Sequence, residues 1–260
     1  MLFRSLLLAV CLALFLPGFF SLQPMDRDEP RFAQATKQML ETGDYVAIRF
    51  QDEARNKKPV GIYWMQAAVV RAAEALGVPD ARRQVFFYRL PSLIGAIALV
   101  LLTYWAALAL VSERAAFAAA LLLASTILLG VEARLAKTDA VIGATVAAAM
   151  GVLARHWMRG GSSPADWRLP AAFWTAIGVG VLVKGPITPM VPALAIAAIL
   201  ATTRSPGWLR GLRPIAGLLW TLLLVAPWFI LIMIETRGAF LADSLGQDML
   251  GKVAQGQEAH

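Results

Sequence analysis

Residues 90–111 read LPSLIGAIALVLLTYWAALALV and contain no charged side chain. About 20 mostly apolar residues in a helix cross the hydrocarbon core of a bilayer. This stretch therefore decides the class of protein, an all-α polytopic membrane protein. Similar apolar runs stand on either side of it, at Leu6–Leu22, 115–131, 139–156, 171–184, 187–203 and 214–234. Together they predict about seven transmembrane helices. The composition agrees. The 260 residues are 58% hydrophobic and only 16% charged, with mean hydropathy +0.63, whereas a soluble domain carries about 25% charged residues. The same values exclude a disordered chain, collagen and a coiled coil. The single cysteine, Cys11, lies inside the first apolar run, which excludes a disulfide scaffold. The net charge is +7, from 24 Lys and Arg against 17 Asp and Glu. Basic residues at the ends of spans orient the chain and meet anionic headgroups. The expected partners are thus membrane lipids and no nucleic acid.

The first run follows Arg4, and its flank, Ser21-Leu22-Gln23-Pro24, has no small-x-small cleavage site. It reads as an uncleaved signal anchor with a cytoplasmic N-terminus. Cytoplasmic pieces then hold Arg4, Arg114, Arg155, Arg159, Arg168, Arg204, Arg210 and Arg213, and the short outer loops hold Arg134, Lys137 and Lys184. This imbalance favours the orientation, and the first loop, 23–88, is too long to weigh in it. That loop is itself patterned. Phe32, Ala35, Met39 and Leu40 recur at helical spacing and Gly43 can end the helix. A second helix from Pro59 puts Val60, Tyr63, Trp64 and Ala67 on one face, with Gly77 as its stop. Two amphipathic helices are expected on the outer membrane surface, separated by a polar segment from Asp44 to Lys58. Gly178 and Gly180 read as helix-packing positions. Residues 1–235 form one membrane module that includes loop 23–88, and 236–260 begins an outer segment. The end of that segment, Gly256 to His260, reads as a truncation.

Four charged clusters carry chemistry. Asp26-Arg27-Asp28-Glu29-Pro30-Arg31 follows the first span. Its carboxylates suit a general base or a divalent cation, and Asp28 or Glu29 equally suits the cap of the helix that Pro30 opens. Arg55-Asn56-Lys57-Lys58-Pro59 puts cations at a helix N-terminus, as a phosphate site would, or forms a solvated charge run. Glu132 to Asp139 fills the next outer loop, and Asp139 either caps a span, paired with Lys137 or Arg134, or faces a ligand. Lys184-Gly185-Pro186 is a tight outer turn in which Lys184 can snorkel. All four fall on the outer side. No charge stands in mid-span, where a transporter would place it. No zinc-ligand spacing, P-loop or Gly-x-Ser-x-Gly occurs.

Asp28-Glu29-Pro30-Arg31-Phe32-Ala33, Met39 to Tyr45 and Lys58-Pro59-Val60-Gly61-Ile62-Tyr63-Trp64 resemble the first periplasmic loop of lipid-to-lipid glycosyltransferases. The resemblance is to the bacterial 4-amino-4-deoxy-L-arabinose transferases that modify lipid A, within the protein O-mannosyltransferase superfamily. Arg89-Leu90-Pro91-Ser92, Ala133-Arg134-Leu135 with Thr138-Asp139, and Lys184-Gly185-Pro186 match further signatures. The resemblance implies a GT-C-like fold in the bacterial inner membrane, multi-pass, with its active face toward the periplasm. It implies a sugar donor on a polyprenyl phosphate and, as acceptor, lipid A or another envelope glycan. Asp28 matches the catalytic carboxylate and Asp139 an acidic position of the second outer loop. Lys58 matches the lysine on the donor phosphate, and Arg31 is a candidate for the same charge. Glu29, Lys57, Arg134, Lys184 and His260 are further candidates. The chain reads Lys57-Lys58-Pro59 where the family reads Glu-Lys-Pro, which removes an acid from a metal or sugar contact. No cofactor follows from these residues, and a divalent metal at Asp28 and Asp139 stays open. The expected function is glycosyl transfer. A transporter or flippase for polyprenyl-linked sugars and a non-catalytic membrane scaffold are the alternatives.

Overall fold

The computed structural model describes residues 2–24, 27–55, 58–160 and 166–241, and they are mostly helical. The elements that build the bundle are α1 (Leu2–Phe15), α4 (Val85–Ala107), α5 (Glu113–Ala124), α6 (Ile127–Glu132), α7 (Asp139–Met158), α8 (Arg168–Lys184), α9 (Ile187–Thr203) and α10 (Pro214–Glu235). Between α1 and α4 stand α2 (Glu29–Thr42), a two-residue antiparallel pair of β1 (Arg49–Phe50) with β2 (Glu53–Ala54), and α3 (Gly61–Ala75). Among the described residues, three helices are long and apolar enough to cross a membrane: α4, α7 and α10.

Every apolar run of the sequence is helical, with instructive differences at the ends. The first run stops at Phe15 rather than Leu22. Pro17 disfavours helical geometry in the residue before it, and Gly18 takes a left-handed φ of 79°. The run 115–131 is split. The hydroxyls of Ser125 and Thr126 donate back to the carbonyls of Leu122 and Leu123, at 2.9 and 2.8 Å, and so compete with the helical ladder. The run at 90 begins five residues earlier, so that Arg89 lies inside α4.

The two loop helices form where the periodicity puts them. Pro30 opens α2, and Gly43, at φ 73°, donates to the Met39 carbonyl and closes it. Phe32, Ala35, Met39 and Leu40 are buried. In α3 the buried face runs through Ile62, Tyr63, Ala67 and Val70. Trp64 falls on its rim instead, where its indole donates to the Tyr45 carbonyl at 2.9 Å. Neither helix stands alone. α3 packs on α2, α4 and α8, so Tyr63 is fully buried inside the protein.

In the bundle α4 lies along α7, α7 along α8 and α8 along α10, while α1 covers α4 and α5. One end of the bundle gathers the N-termini of α4 and α7 with the C-termini of α1, α8 and α10. An apolar cluster of Phe32, Val60, Ile62, Tyr63, Val141, Ile142, Val183, Trp228 and Ile232 seals it. At the other end the Arg155 side chain donates to the Trp105 carbonyl, and His156 Nε2 meets the Trp208 carbonyl at 2.7 Å.

Two glycines permit the close approaches on which this packing depends. A Cβ on Gly61 would stand 2.7 Å from the Leu182 carbonyl oxygen, and one on Gly180 would stand 2.5 Å from Thr188 Cβ. Gly61 meets backbone, which cannot rotate away. Gly61→Ala is therefore expected to push α3 from α8 and destabilise the fold by about 1–3 kcal/mol, as overpacked cores do. A thermal melt of the detergent-solubilised variant tests this, and an unchanged melting temperature would contradict it.

Candidate functional site

The apolar cluster at the charged end is the floor of a polar site. Four chain segments bring residues to its edge. Asp28 and Arg31 come from the start of α2, Lys58 from the segment before α3, Asp139 from the start of α7 and Lys184 from the end of α8. Phe32, Val60, Val141 and Val183, each within a few residues of one of these side chains, pack in the one cluster. Residues spread over more than 150 positions of sequence thus share one end of the molecule.

Asp28 occupies the N-cap position of α2, yet its side chain makes no capping hydrogen bond. The Asp28 carboxylate instead faces Arg31, Oδ1 to Nη1 at 3.6 Å, and both side chains are about four-tenths exposed. Lys58 is half-buried, and the residues after it, Pro59, Val60 and Gly61, are buried. Asp139 is paired with Lys184. The sequence neighbours expected to pair with Asp139 are engaged elsewhere. Lys137 Nζ is 3.8 Å from Glu132, and Arg134 donates to the carbonyls of Gly130, Leu14 and Pro17, tying down the end of α1. Nor does Asp139 occupy the cap. Thr138 holds the N-cap position and Asp139 is the first residue of α7, where a carboxylate suits the helix dipole.

Beneath the site lies a buried ion pair. Glu29 and Arg89 are 0% and 1% exposed. Arg89 donates from Nε to Glu29 Oε1 at 2.6 Å and from Nη2 to Oε2 at 3.1 Å, the fork geometry that makes such pairs strong. Its Nη1 donates to the carbonyls of Phe19 and Leu22 at 3.1 and 2.8 Å, and Glu29 Oε1 also accepts the Ala136 N–H at 3.0 Å. Four segments are joined through these two residues: the stretch that follows α1, the start of α2, the second turn of α4 and the loop before α7. Both side chains are engaged in this network, which fixes the start of α2 next to Asp28.

Arg55 approaches from the other side. Its Nε donates to the Tyr63 hydroxyl at 3.1 Å, and its guanidinium lies over the Phe32 ring, 5.0 Å from the centroid. Burial is the main cause that pushes the Tyr63 hydroxyl up to about 12, against the pull of Arg55, and the charge of Asp28 adds to the rise. Tyr63 is therefore a neutral phenol in this site. Among the described residues, no group of three or more His, Cys, Asp or Glu side chains is placed to hold a metal ion. Asp26, Lys57 and His260 lie outside the described residues.

A family model described as dolichyl-phosphate-mannose-protein mannosyltransferase matches residues 57–231, two thirds of the chain. The chain belongs to this mannosyltransferase family. Among curated relatives, the undecaprenyl phosphate-alpha-4-amino-4-deoxy-L-arabinose arabinosyl transferase of Aeromonas hydrophila is 30% identical over 221 residues, covering 82% of this chain and 38% of its own. The transferase of the same description from Pseudomonas aeruginosa is 31% identical, covering 81% of this chain and 38% of its own. The chain thus spans about two fifths of the length of these relatives. The fold is that of ArnT from Cupriavidus metallidurans. The apo crystal structure superposes with TM-score 0.75 at 24% identity, over 92% of this chain and 43% of that one. The structure bound to undecaprenyl phosphate superposes with TM-score 0.79 at 23% identity, over 95% and 44%.

Within this mannosyltransferase-family chain, three residues of the site have no individual role assigned from sequence. Arg89 carried a signal, a charge at the mouth of an apolar run. Arg55 was one cation of a charged run, and nothing in the sequence marked it as the one set on an aromatic ring. Tyr63 was read as an apolar-face aromatic, and its hydroxyl partner lies eight residues upstream in a segment without periodicity.

Proposed function

We propose that this chain is the donor-binding module of an inverting glycosyltransferase that takes a sugar from a polyprenyl phosphate. The observation that carries this reading is the convergence of Asp28, Arg31, Lys58, Asp139 and Lys184 at one end of a fold shared with ArnT. An acceptor hydroxyl attacks the anomeric carbon of the donor and gives its proton to the Asp28 carboxylate. The new carbon–oxygen bond forms as the bond from that carbon to the phosphate oxygen breaks. The electron pair leaves with the polyprenyl phosphate, whose charge becomes more negative by one. Lys58 and Arg31 meet that growing charge, the kind of preorganised contact that lowers a barrier. Asp139, oriented by Lys184, faces the acceptor. Following the relatives, the sugar is an aminoarabinose or a related sugar, and the acceptor is lipid A or another envelope glycan.

The same reading places the protein in the bacterial inner membrane with seven spans, α5 and α6 together forming the third. The N-terminus is cytoplasmic and the charged end periplasmic. Residues 1–235 are the membrane module, and 236–260 lead into a periplasmic segment.

Lipid mass spectrometry tests the proposal. Cells lacking the full-length gene are compared with cells rescued by the wild type or by Asp28→Asn. One polyprenyl-phosphate-linked sugar is expected to accumulate in the deletion and in Asp28→Asn, and not in the wild-type rescue. If no such lipid changes in any strain, the donor assignment is wrong and the transporter and scaffold readings take its place.

A further inference from the structure

We propose that Arg55 is a second phosphate-binding group of this site, presenting its two terminal nitrogens to the phosphate of the polyprenyl lipid while Tyr63 and Phe32 hold the guanidinium in place. The inference rests on the donor reading above and extends it to a residue that reading does not use.

Three observations carry it. Arg55 is pinned at two points, by the hydrogen bond from Nε to the Tyr63 hydroxyl and by the face of Phe32. An arginine bound only through Nε and stacked on a ring keeps its outer edge for a ligand, and that edge matches two phosphate oxygens. Among the described residues, neither Nη nitrogen donates to a protein acceptor and neither is buried. No carboxylate of the described residues forms an ion pair with Arg55, whereas Arg31 has Asp28 and Lys184 has Asp139. Finally, its anchors belong to the site. Phe32 follows Arg31 directly, Tyr63 lies in the first turn of α3 just after Lys58, and Asp28 acts electrostatically on Tyr63.

The chemistry gives the extra cation a purpose. The donor is a phosphodiester with one negative charge, and the departing lipid is a monoester with up to two. A fixed guanidinium holds the second more tightly than the first, and so assists bond breaking more than donor binding. An ordinary surface arginine would not discriminate in this way.

The test uses the full-length protein in detergent, with farnesyl monophosphate as the monoester probe, its methyl ester as the diester and farnesol as the uncharged control, each titrated calorimetrically. Arg55→Gln is expected to weaken monoester binding about 10- to 100-fold, the range for charge-assisted hydrogen bonds. It should weaken the diester less and leave farnesol unchanged. Tyr63→Phe, which removes the anchor and keeps the ring, is expected to give a smaller loss with the same preference for the monoester. Wild-type monoester affinity in Arg55→Gln, with loss in Lys58→Ala, overturns the role of Arg55 and leaves the donor reading standing. Wild-type affinity in both variants overturns the donor reading as well. Equal loss of all three probes in Arg55→Gln marks a damaged fold and also overturns the proposal, unless Tyr63→Phe retains the selective loss.

Discussion

Arg89→Ala is expected to lose most of the folded protein from the membrane. The substitution leaves the Glu29 carboxylate fully buried without its cation, and removing one partner of a buried pair costs about 3–5 kcal/mol. The Phe19 and Leu22 carbonyls lose their donor as well, and each buried group left unmade adds about 1–3 kcal/mol. The sum rivals the whole stability of an ordinary domain. Glu29→Leu together with Arg89→Met is expected to recover a large part of the loss, because a matched apolar replacement removes both desolvated charges at once. Recovery should be incomplete, since the Ala136 N–H then lacks its acceptor. Membrane accumulation and the melting temperature in detergent decide the matter. An Arg89→Ala protein that accumulates and melts like the wild type would show that the pair holds nothing together.

The second large effect is expected at Lys58. Lys58→Ala should lower transfer from a polyprenyl-linked donor about 10²–10³-fold, the loss that follows removal of one preorganised contact to a charge that grows in the transition state. The protein should still accumulate, because the segment is held by the burial of Pro59, Val60 and Gly61 rather than by the lysine. Transfer is measured in membranes at equal protein level. A rate within about threefold of wild type would remove Lys58 from the mechanism, since that difference is less than 1 kcal/mol.

Much of the architecture was legible because local chemistry and tertiary packing agree. The run 187–203 and α9 share both ends. Asp139 opens α7 where the apolar run begins, and Gly43 closes α2 where its lack of a Cβ allows a left-handed turn. The failures fall where a distant partner decides. Asp139 was expected to pair with Lys137 or Arg134, two and five positions away in sequence. Both turn toward other groups, and α8 brings Lys184 from 45 residues further on. Glu29 offered no sign that Arg89 would claim it, because charge alone does not name a partner 60 residues distant. The hairpin of β1 and β2 was invisible in a polar segment too short to show alternation. Arg134 likewise gave no sign in the sequence that it would bond the Leu14 and Pro17 carbonyls, the kind of exposed helix-end acceptors that draw a nearby arginine.

The span of these pairings sets a timetable for biogenesis. Chains are synthesised at about 5–20 residues per second, so Glu29 is made roughly 3–12 s before Arg89, the cation that neutralises it, 60 residues later. Asp139 waits about 2–9 s for Lys184 by the same rate. Each carboxylate leaves the ribosome ahead of its counter-ion and must stay hydrated near the membrane until a later helix arrives. The pair of Asp139 with Lys184 cannot form until the end of α8 has been made. A translational pause between α7 and α8 would prolong the interval in which Asp139 lacks Lys184 and stands open to quality-control proteolysis.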